Sequence, residues 1–204
     1  MACVSVIVMC TSFDSGKYSH LKKVILLSGK RKCGKDYIGE KLADKLQAIL
    51  LHLSEPLKLE FARLHQIDGK ELLSSSSYKE NYRKDMIKWG EDKRHADPSI
   101  FCRLAIEQKD EQCSTNPIWI VCDIRRYTDI DFFRKYFPEQ LLLVRVEASI
   151  ETRQNRGWVF TPNVDASESE CQLDENVRWS FIFSNNDSDN FETQMTHLIQ
   201  MIQS

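Results

Sequence analysis

Residues 28–36, SGKRKCGKD, place two glycines and a lysine at the spacing of a phosphate-binding loop. Gly29, Gly34 and Lys35 fit the pattern G-x-x-x-x-G-K, in which backbone N–H groups surround the phosphates and the lysine reaches the outer oxygens. The pattern normally ends in serine or threonine, but here it ends in Asp36. A carboxylate beside a triphosphate is repelled unless a cation such as Mg²⁺ lies between them. The loop therefore predicts a nucleotide site in which Asp36 is a metal ligand, directly or through water.

The segments on either side of this loop have the pattern that such a site requires. Residues 23–29, KVILLSG, form a short apolar run that ends in glycine, and apolar residues recur at helical spacing in residues 35–50. A strand, a glycine loop and a helix in this order favour a nucleotide site over a surface turn that only resembles one. Six basic residues and no acidic residue occur between Lys22 and Lys35, which also favours an anion site.

Several arginines follow predicted strands or lie on predicted helices. Arg125 and Arg126 come directly after the apolar run of residues 117–123, and ligands of parallel α/β sheets gather at the carboxyl ends of strands. Arg153 and Arg156 are three residues apart and precede a glycine, an aromatic residue and an acidic stretch, a composition typical of a closing lid. The alternative is that Arg125 and Arg126 are surface residues. If the arginines meet in one cleft, the substrates are strongly anionic.

The order of apolar segments predicts the fold class. Runs with little polar alternation are typical of strands that are covered on both faces, and helical patterns separate them. Such alternation predicts an α/β fold with a parallel five-stranded sheet flanked by helices. The strands are expected within residues 23–29, 48–54, 117–123, 141–148 and 181–183, and the helices within 35–50, 54–66, 78–94, 100–108 and 190–202.

Composition limits the class of protein. The chain has 204 residues, of which 42% are hydrophobic and 28% charged, as expected of one globular domain. A formal net charge of −2 gives no reason to expect nucleic acid or an anionic membrane as a partner, and no apolar run approaches the ~18 residues of a membrane span. Seven cysteines without a C-x-x-C pair indicate a reducing, cytosolic environment.

The two ends of the chain lead to further expectations. Residues 1–22 are expected to be a variable, poorly ordered leader rather than a secretory signal, because the apolar start has no basic region before it. The domain is then expected over residues 23–204, with a lid at about 150–175. The last four residues, MIQS, contain no peroxisomal tripeptide.

The histidines and tryptophans carry weaker signals. None of the five histidines has a partner at the sequence spacing of a metal site or a Ser-His-Asp triad, so the sequence gives no support for zinc or triad chemistry. Trp89, Trp119 and Trp179 are expected in the core rather than against a base. The role of Trp158, in the expected lid, stays open.

Four stretches together resemble a known family. SGKRKCGKD, YKENYRKDMIKWGEDKRHADPSIFCR, PIWIVCDIRR and RQNRGWVFTPNVDASESECQLD are similar, in order and spacing, to the animal-type phosphomevalonate kinases. The resemblance extends from about Lys23 to the end of the chain, and the family's own loop, GKRK-x-GKD, includes the aspartate at Asp36. It implies a P-loop NTPase fold of the nucleoside monophosphate kinase type with a lid. The leader is about a dozen residues longer than in the family, and the peroxisomal ending of some members is missing.

The resemblance also implies an activity and its residues. The activity is the transfer of a phosphoryl group from ATP to (R)-5-phosphomevalonate, with Mg²⁺ held at Asp36. Catalytic roles are expected for Lys35, Asp36, Arg125, Arg126 and Arg156. Nucleotide contacts are expected at Gly29, Lys30, Arg31, Lys32, Cys33, Gly34, Lys35, Asp36, Arg153 and Arg156, and at Asn185 or Asn186, where the match is less clear. Acceptor contacts are expected at Lys58, Lys79, Arg83, Arg94, Arg103, Arg125 and Arg126, although Lys79 and Arg83 would also suit a solvated helix face.

The chemistry of the acceptor agrees with this expectation. A phosphate monoester with a second pKa of about 6 is mostly ionised at neutral pH, so it needs no general base, and the chain offers many arginines but no evident catalytic histidine. Two alternatives remain. A nucleoside monophosphate kinase would need a second base pocket, and a regulatory module would bind the nucleotide without transferring phosphate. We expect a monomer that binds small molecules and neither nucleic acid nor membranes.

Overall fold

The computed structural model describes residues 13–74, 77–186 and 190–204. At its centre is a sheet of five parallel strands in the order β2-β3-β1-β4-β5. The strands are β1 (Lys23–Ser28), β2 (Ile49–His52), β3 (Ile118–Cys122), β4 (Leu141–Glu147) and β5 (Phe181–Ser184). The predicted parallel five-stranded sheet is confirmed. Because β2 and β3 lie on one side of β1 and β4 and β5 on the other, the strand order reverses at the carboxyl end of β1, where open α/β sheets bind ligands.

Helices connect the strands and cover both faces of the sheet. They are α1 (Lys35–Leu46), α2 (Ser54–His65), α3 (Gly69–Leu73), α4 (Ser77–Ala96), α5 (Ile100–Glu107), α6 (Asp110–Cys113), α7 (Tyr127–Tyr136), α8 (Ile150–Asn155), α9 (Pro162–Asp165), α10 (Glu168–Cys171) and α11 (Phe191–Gln203). Within the described ranges, none of these helices combines the length and the apolar character needed to cross a membrane.

Two apolar layers hold the helices to the sheet. On one face, Val24 and Leu26 of β1 pack with α5 and α7, and on the other face Ile25 and Leu27 pack with α1 and α11. All four side chains are fully buried, which explains why β1 shows no polar alternation. Trp119 is also fully buried, and Trp89 and Trp179 pack against the same cluster, as the sequence predicts. Met86 of α4 packs with α2 and α3 in a third, smaller cluster.

The chain before β1 also packs against the domain. A 3-10 helix spans Ser15–Tyr18, and the side chains of Tyr18 and Leu21 are buried in the core layer that contains Trp119. Phe13 packs edge-on against Phe132. The packed unit therefore includes residues 13–22, which the sequence pattern assigns to the leader, while residues 1–12 of the expected leader lie outside the described residues.

Candidate active site

The loop between β1 and α1 depends on its two glycines. A Cβ atom on Gly29 would lie 2.6 Å from the backbone oxygen of Val146 on β4, closer than real Cβ contacts come. Gly34 has φ of +90°, in the left-handed region, and a Cβ there would collide with the side-chain amide of Asn185. Both positions therefore require glycine, one for close packing on β4 and the other for the turn into α1.

Two side chains from the far side of the sheet fix this loop. Asn185, directly after β5, donates a hydrogen bond of 2.8 Å from Nδ2 to the carbonyl oxygen of Cys33. Arg156 donates to the same carbonyl from Nη1 at 3.2 Å and to the carbonyl of Asn185 from Nη2 at 2.9 Å. Asn186 instead accepts from the backbone N–H of Ser149 at 2.8 Å. Of the two asparagines left open by the sequence, Asn185 thus has a direct hydrogen bond to the loop.

Lys35 and Asp36 begin helix α1. Lys35 is 8% exposed, and its Nζ lies 3.4 Å from Oδ2 of Asp36, whose side chain is 57% exposed. Desolvation acts to raise the pKa of Asp36, but electrostatic interactions, chiefly with the Lys35 ammonium, lower it on balance, so the carboxylate is ionised at neutral pH. An exposed, ionised carboxylate at a helix start beside the phosphate loop fits the oxygen chemistry of Mg²⁺.

The carboxylate of Asp123, which directly follows β3, accepts hydrogen bonds from the backbone. Its carboxylate accepts backbone hydrogen bonds from Leu53 at 2.8 Å and from Ser54 at 3.2 Å, and its own φ is +63°. Both oxygens are therefore committed to the turn between β2 and α2. Of the two aspartates, Asp36 has the more available carboxylate for a metal ion.

A small cavity lies next to the loop, at the carboxyl ends of β2 and β3. Its volume is about 150 Å³, and α2, α4 and α10 form its walls. Its apolar side includes Leu57, Met86 and Val164. Six of the seven basic residues expected at the acceptor also line it: Lys58, Lys79, Arg83, Arg94, Arg125 and Arg126. We call this space the acceptor cavity.

The seventh expected residue lies elsewhere. Arg103, on α5, is not among the side chains that line the acceptor cavity, and its guanidinium pairs with Asp97 just before that helix.

The crowding of cations affects their ionisation. Burial lowers the pKa of Lys79 to about 8, and the positive charges of Lys58 and Arg83 contribute to this decrease. Burial also lowers the pKa of Lys58, with Arg125 acting in the same direction against the opposite effect of Asp123. A cavity that destabilises its own cations in this way favours an anionic ligand that relieves the repulsion.

Arg126 holds an unused hydrogen-bond donor. It is 4% exposed, and its Nη2 pairs with Glu91. Its Nη1 is buried and has no hydrogen-bond partner among the described residues. The backbone N–H groups of Arg125 and Arg126 both donate to the buried carboxylate of Asp129, at 2.9 and 3.1 Å. The turn after β3 is therefore rigidly held, and it presents one donor that a ligand oxygen can satisfy.

Three carboxylates of the expected lid pair with cations of the site, although the sequence reasoning assigned them no role. Asp165 pairs with Arg31 at 2.9 Å. Glu170 pairs with Arg125, and Asp174 pairs with both Lys30 and Arg145. The acidic stretch in residues 163–175 was the available signal. We call Asp165, Glu170 and Asp174 the lid carboxylates.

A larger cavity opens on the other side of the loop. It has a volume of about 380 Å³ and lies at the carboxyl ends of β4 and β5, with Lys30, Cys33, Arg145 and Asn186 in its lining. Arg153 packs beside it on the loop, since its Nε donates to the carbonyl of Arg31 at 2.7 Å and its guanidinium stacks 4.0 Å from the ring centroid of Trp158. Lys32 is exposed at a φ of +63°.

Comparisons with known proteins are consistent with this geometry. The family model described as Phosphomevalonate kinase matches residues 27–139. The chain is 45% identical over 158 residues to the phosphomevalonate kinase of Drosophila melanogaster, a match that covers 76% of this chain and 83% of the relative.

Solved structures show more distant likeness. A gluconokinase from Sinorhizobium meliloti 1021 is 16% identical, with a TM-score of 0.48 and coverage of 90% of this chain and 97% of that one. A shikimate kinase from Acinetobacter baumannii, in complex with shikimate, is 12% identical, with a TM-score of 0.48 and coverage of 93% and 98%.

Proposed function

This chain belongs to the phosphomevalonate kinase family, and from that premise we propose how its residues carry out the reaction. The chain is an ATP-dependent kinase of the mevalonate pathway of isoprenoid and sterol synthesis. The reaction converts ATP and (R)-5-phosphomevalonate into ADP and (R)-5-diphosphomevalonate. The bond between the γ-phosphorus and the bridging oxygen breaks, ADP leaves with the electron pair, and an acceptor phosphate oxygen bonds to phosphorus.

The arrangement of two cavities on either side of the phosphate loop carries the assignment of roles. The larger cavity, next to β4 and β5, is assigned to the nucleotide, and Asn185 and Arg156 fix the loop at that end. The acceptor cavity is assigned to phosphomevalonate. A ligand with a phosphate, a carboxylate and a short carbon chain fits a space with six cations and an apolar side.

Charge neutralisation and positioning account for the phosphoryl transfer. Lys35 is assigned to the transferring group, with its buried stem fixing the direction of the ammonium. Arg125 and Arg126 orient the acceptor phosphate, for which Arg126 has a free Nη1 donor within the described structure. Arg156 keeps the loop in shape and contacts ATP. Transfer between two phosphates needs no general base, which agrees with the absence of histidine among the residues lining the acceptor cavity in the described ranges.

Mg²⁺ fits one carboxylate of the site. We assign it to Asp36, because Asp123 already accepts two backbone hydrogen bonds. When bound, the ion neutralises charge on the phosphates of ATP.

The partners are proposed to be small molecules, and the protein is proposed to work as a monomer in the cytosol. The cysteines of the described ranges, Cys33, Cys102, Cys113, Cys122 and Cys171, are free thiols, which supports a reducing compartment. Subcellular imaging of the full chain and light scattering of the purified protein test these two proposals.

A coupled assay of ADP release tests the reaction. Phosphomevalonate, AMP, CMP and no acceptor are compared at equal concentrations, and release above the background is expected with phosphomevalonate alone. Turnover with AMP or CMP would identify a nucleoside monophosphate kinase. Nucleotide binding without turnover on any acceptor would identify a regulatory module.

A further inference from the structure

Three residues of different chemistry meet beneath helix α1. Asp36, His52 and Cys122 each offer one ligand atom, and these atoms lie within 4.8 Å of one another. The residues come from α1, β2 and β3, so their distances along the sequence gave no sign of a cluster. An oxygen, an imidazole nitrogen and a sulfur are the ligand types that Zn²⁺ takes in proteins.

The backbone, rather than side-chain rotation alone, brings two of them together. His52 and Cys122 are the last residues of neighbouring parallel strands and are direct partners in the register of the β2–β3 pair. Residues paired in this way project from the same face of the sheet. Leu50 and Ile120, paired two residues earlier, pack in the layer below α1, which shows that this is the face that α1 covers.

Helix α1 supplies the third residue. It approaches the sheet so closely that a Cβ on Gly39 would collide with Sγ of Cys122. Asp36 is three residues before Gly39 and therefore lies on nearly the same side of the helix. The sulfur is fixed, since Cys122 is fully buried, whereas His52 is half-buried and the Asp36 side chain is exposed. The ligand atoms around a tetrahedral Zn²⁺ are about 3.5 Å apart. Rotations of the His52 and Asp36 side chains that move their ligand atoms by about an ångström would therefore close the site.

We propose that Asp36, His52 and Cys122 form a binding site for a thiophilic divalent cation such as Zn²⁺, and that the ion inhibits the kinase by withdrawing Asp36 from the nucleotide site. Three protein ligands leave a fourth tetrahedral position for water, and the carboxylate in this set is the one assigned to Mg²⁺. The inhibition rests on the proposed function, whereas the binding does not.

Binding is tested without substrate. Zn²⁺ is titrated calorimetrically into the reduced full-length wild type and into three variants, Cys122→Ser, His52→Gln and the control Cys102→Ser, whose thiol is buried on the other face of the sheet. Loss of a direct ligand should lower the Zn²⁺ affinity tenfold or more, since loss of a residue that only hydrogen-bonds to a metal ligand already lowers metal affinity 10–100-fold. Cd²⁺ should give less thiolate-to-metal absorption in Cys122→Ser than in the control.

The outcomes separate the two parts of the proposal. Equal Zn²⁺ affinity and stoichiometry in the wild type and His52→Gln, whose half-buried side chain makes unfolding a minor concern, would overturn the site. If Zn²⁺ binding depends on both His52 and Cys122, inhibition is measured next, with buffered Zn²⁺ at saturating Mg²⁺ and ATP. The wild type and Cys102→Ser should then be inhibited at a tenfold lower Zn²⁺ concentration than Cys122→Ser and His52→Gln. Equal inhibition in all four would overturn the inhibitory role. An inactive wild type that still binds Zn²⁺ would count against the proposed function and not against the site.

Discussion

Arg125, which follows β3, and Glu170, on α10, form an ion pair at the acceptor cavity. The second oxygen of the same carboxylate accepts a hydrogen bond of 3.3 Å from the backbone N–H of Arg31 in the phosphate loop. One lid carboxylate thus bridges the loop and the arginine assigned to the acceptor phosphate. On the proposed assignment, this carboxylate occupies donors that a phosphate oxygen of the substrate would use, and the two compete for them.

Replacing Glu170 by glutamine should therefore strengthen acceptor binding. Removal of a charge-assisted hydrogen bond that competes with the ligand is expected to lower KM for phosphomevalonate by about three- to tenfold, since such bonds contribute about 1.5–3 kcal/mol and are partly replaced by the neutral amide. Steady-state kinetics with Glu168→Gln as the matched control, an exposed residue on the same helix, measures the effect. An increase of KM in Glu170→Gln alone would show that the carboxylate orders the site instead of competing for it.

The low pKa of Lys79 predicts a pH dependence. Because this pKa is lowered to about 8, the free protein loses the ammonium charge as pH rises through 8, well before an ordinary lysine would. We expect kcat/KM for phosphomevalonate to fall about tenfold between pH 7.5 and pH 9.5, the effect of losing one charged contact. Lys79→Arg should keep most of its kcat/KM at pH 9.5, while the exposed control Lys70→Arg should lose kcat/KM as the wild type does. Parallel profiles for all three proteins would assign the decline to another group.

Lys35→Met should abolish turnover without unfolding the protein. The methionine preserves the buried stem and removes the charge that neutralises the transferring group, so kcat should fall 10²-fold or more. Lys45→Met, at the exposed end of the same helix, should retain normal kcat. Thermal unfolding of both variants checks the fold, and more than about a tenth of the wild-type kcat in Lys35→Met would refute the assigned role.

Asp36→Asn should separate metal use from nucleotide binding. The concentration of free Mg²⁺ needed for half-maximal rate should increase at least about tenfold and kcat should fall, because a carboxylate ligand is lost. ATP in the presence of chelator should bind as well as before or better, since a repulsive charge has gone. A Mg²⁺ titration of the rate and calorimetric ATP binding measure the two effects. An unchanged Mg²⁺ requirement would move the metal to Asp123.

Arg126 and Arg156 should differ in the kinetic constant they affect. Arg126→Met should raise KM for phosphomevalonate about tenfold or more and leave KM for ATP nearly unchanged, because Arg126 lines the acceptor cavity. Arg156→Met should mainly lower kcat, since its bonds to Cys33 and Asn185 shape the loop. The reverse pattern for Arg126 would place it at the nucleotide.

The parts of the fold that follow from local pattern were predictable from the sequence. The strand before Gly29 and the helix after Gly34 are adjacent in the chain, and continuous apolar runs mark the buried strands. The end of α1 was less predictable from the sequence. Residues 35–50 have a helical pattern, but Gln47 adopts φ of +51° and the helix ends at Leu46. Helix α7 was not singled out, although Asp129 caps its first turn.

The pairing of charges was beyond the sequence. An acidic stretch is visible in residues 163–175, yet which cation each carboxylate meets depends on how α9 and α10 lie over the loop. Arg103 shows the opposite case, in which a residue expected at the acceptor pairs with Asp97 instead of lining the cavity. His52 and Cys122 are brought together by strand register alone, which no spacing in the sequence reveals.

The lid carboxylates also change the electrostatic field of the site at long range. Four cations, Lys30, Arg31, Arg125 and Arg145, are matched by three carboxylates, so these groups together carry little net charge while the pairs are formed. Charges paired in this way do little electrostatic steering beyond a Debye length of about 8 Å at physiological ionic strength. These four cations therefore add little to the long-range attraction of polyanions. The full attraction of the arginines is available only to an anion small enough to enter and displace the carboxylates.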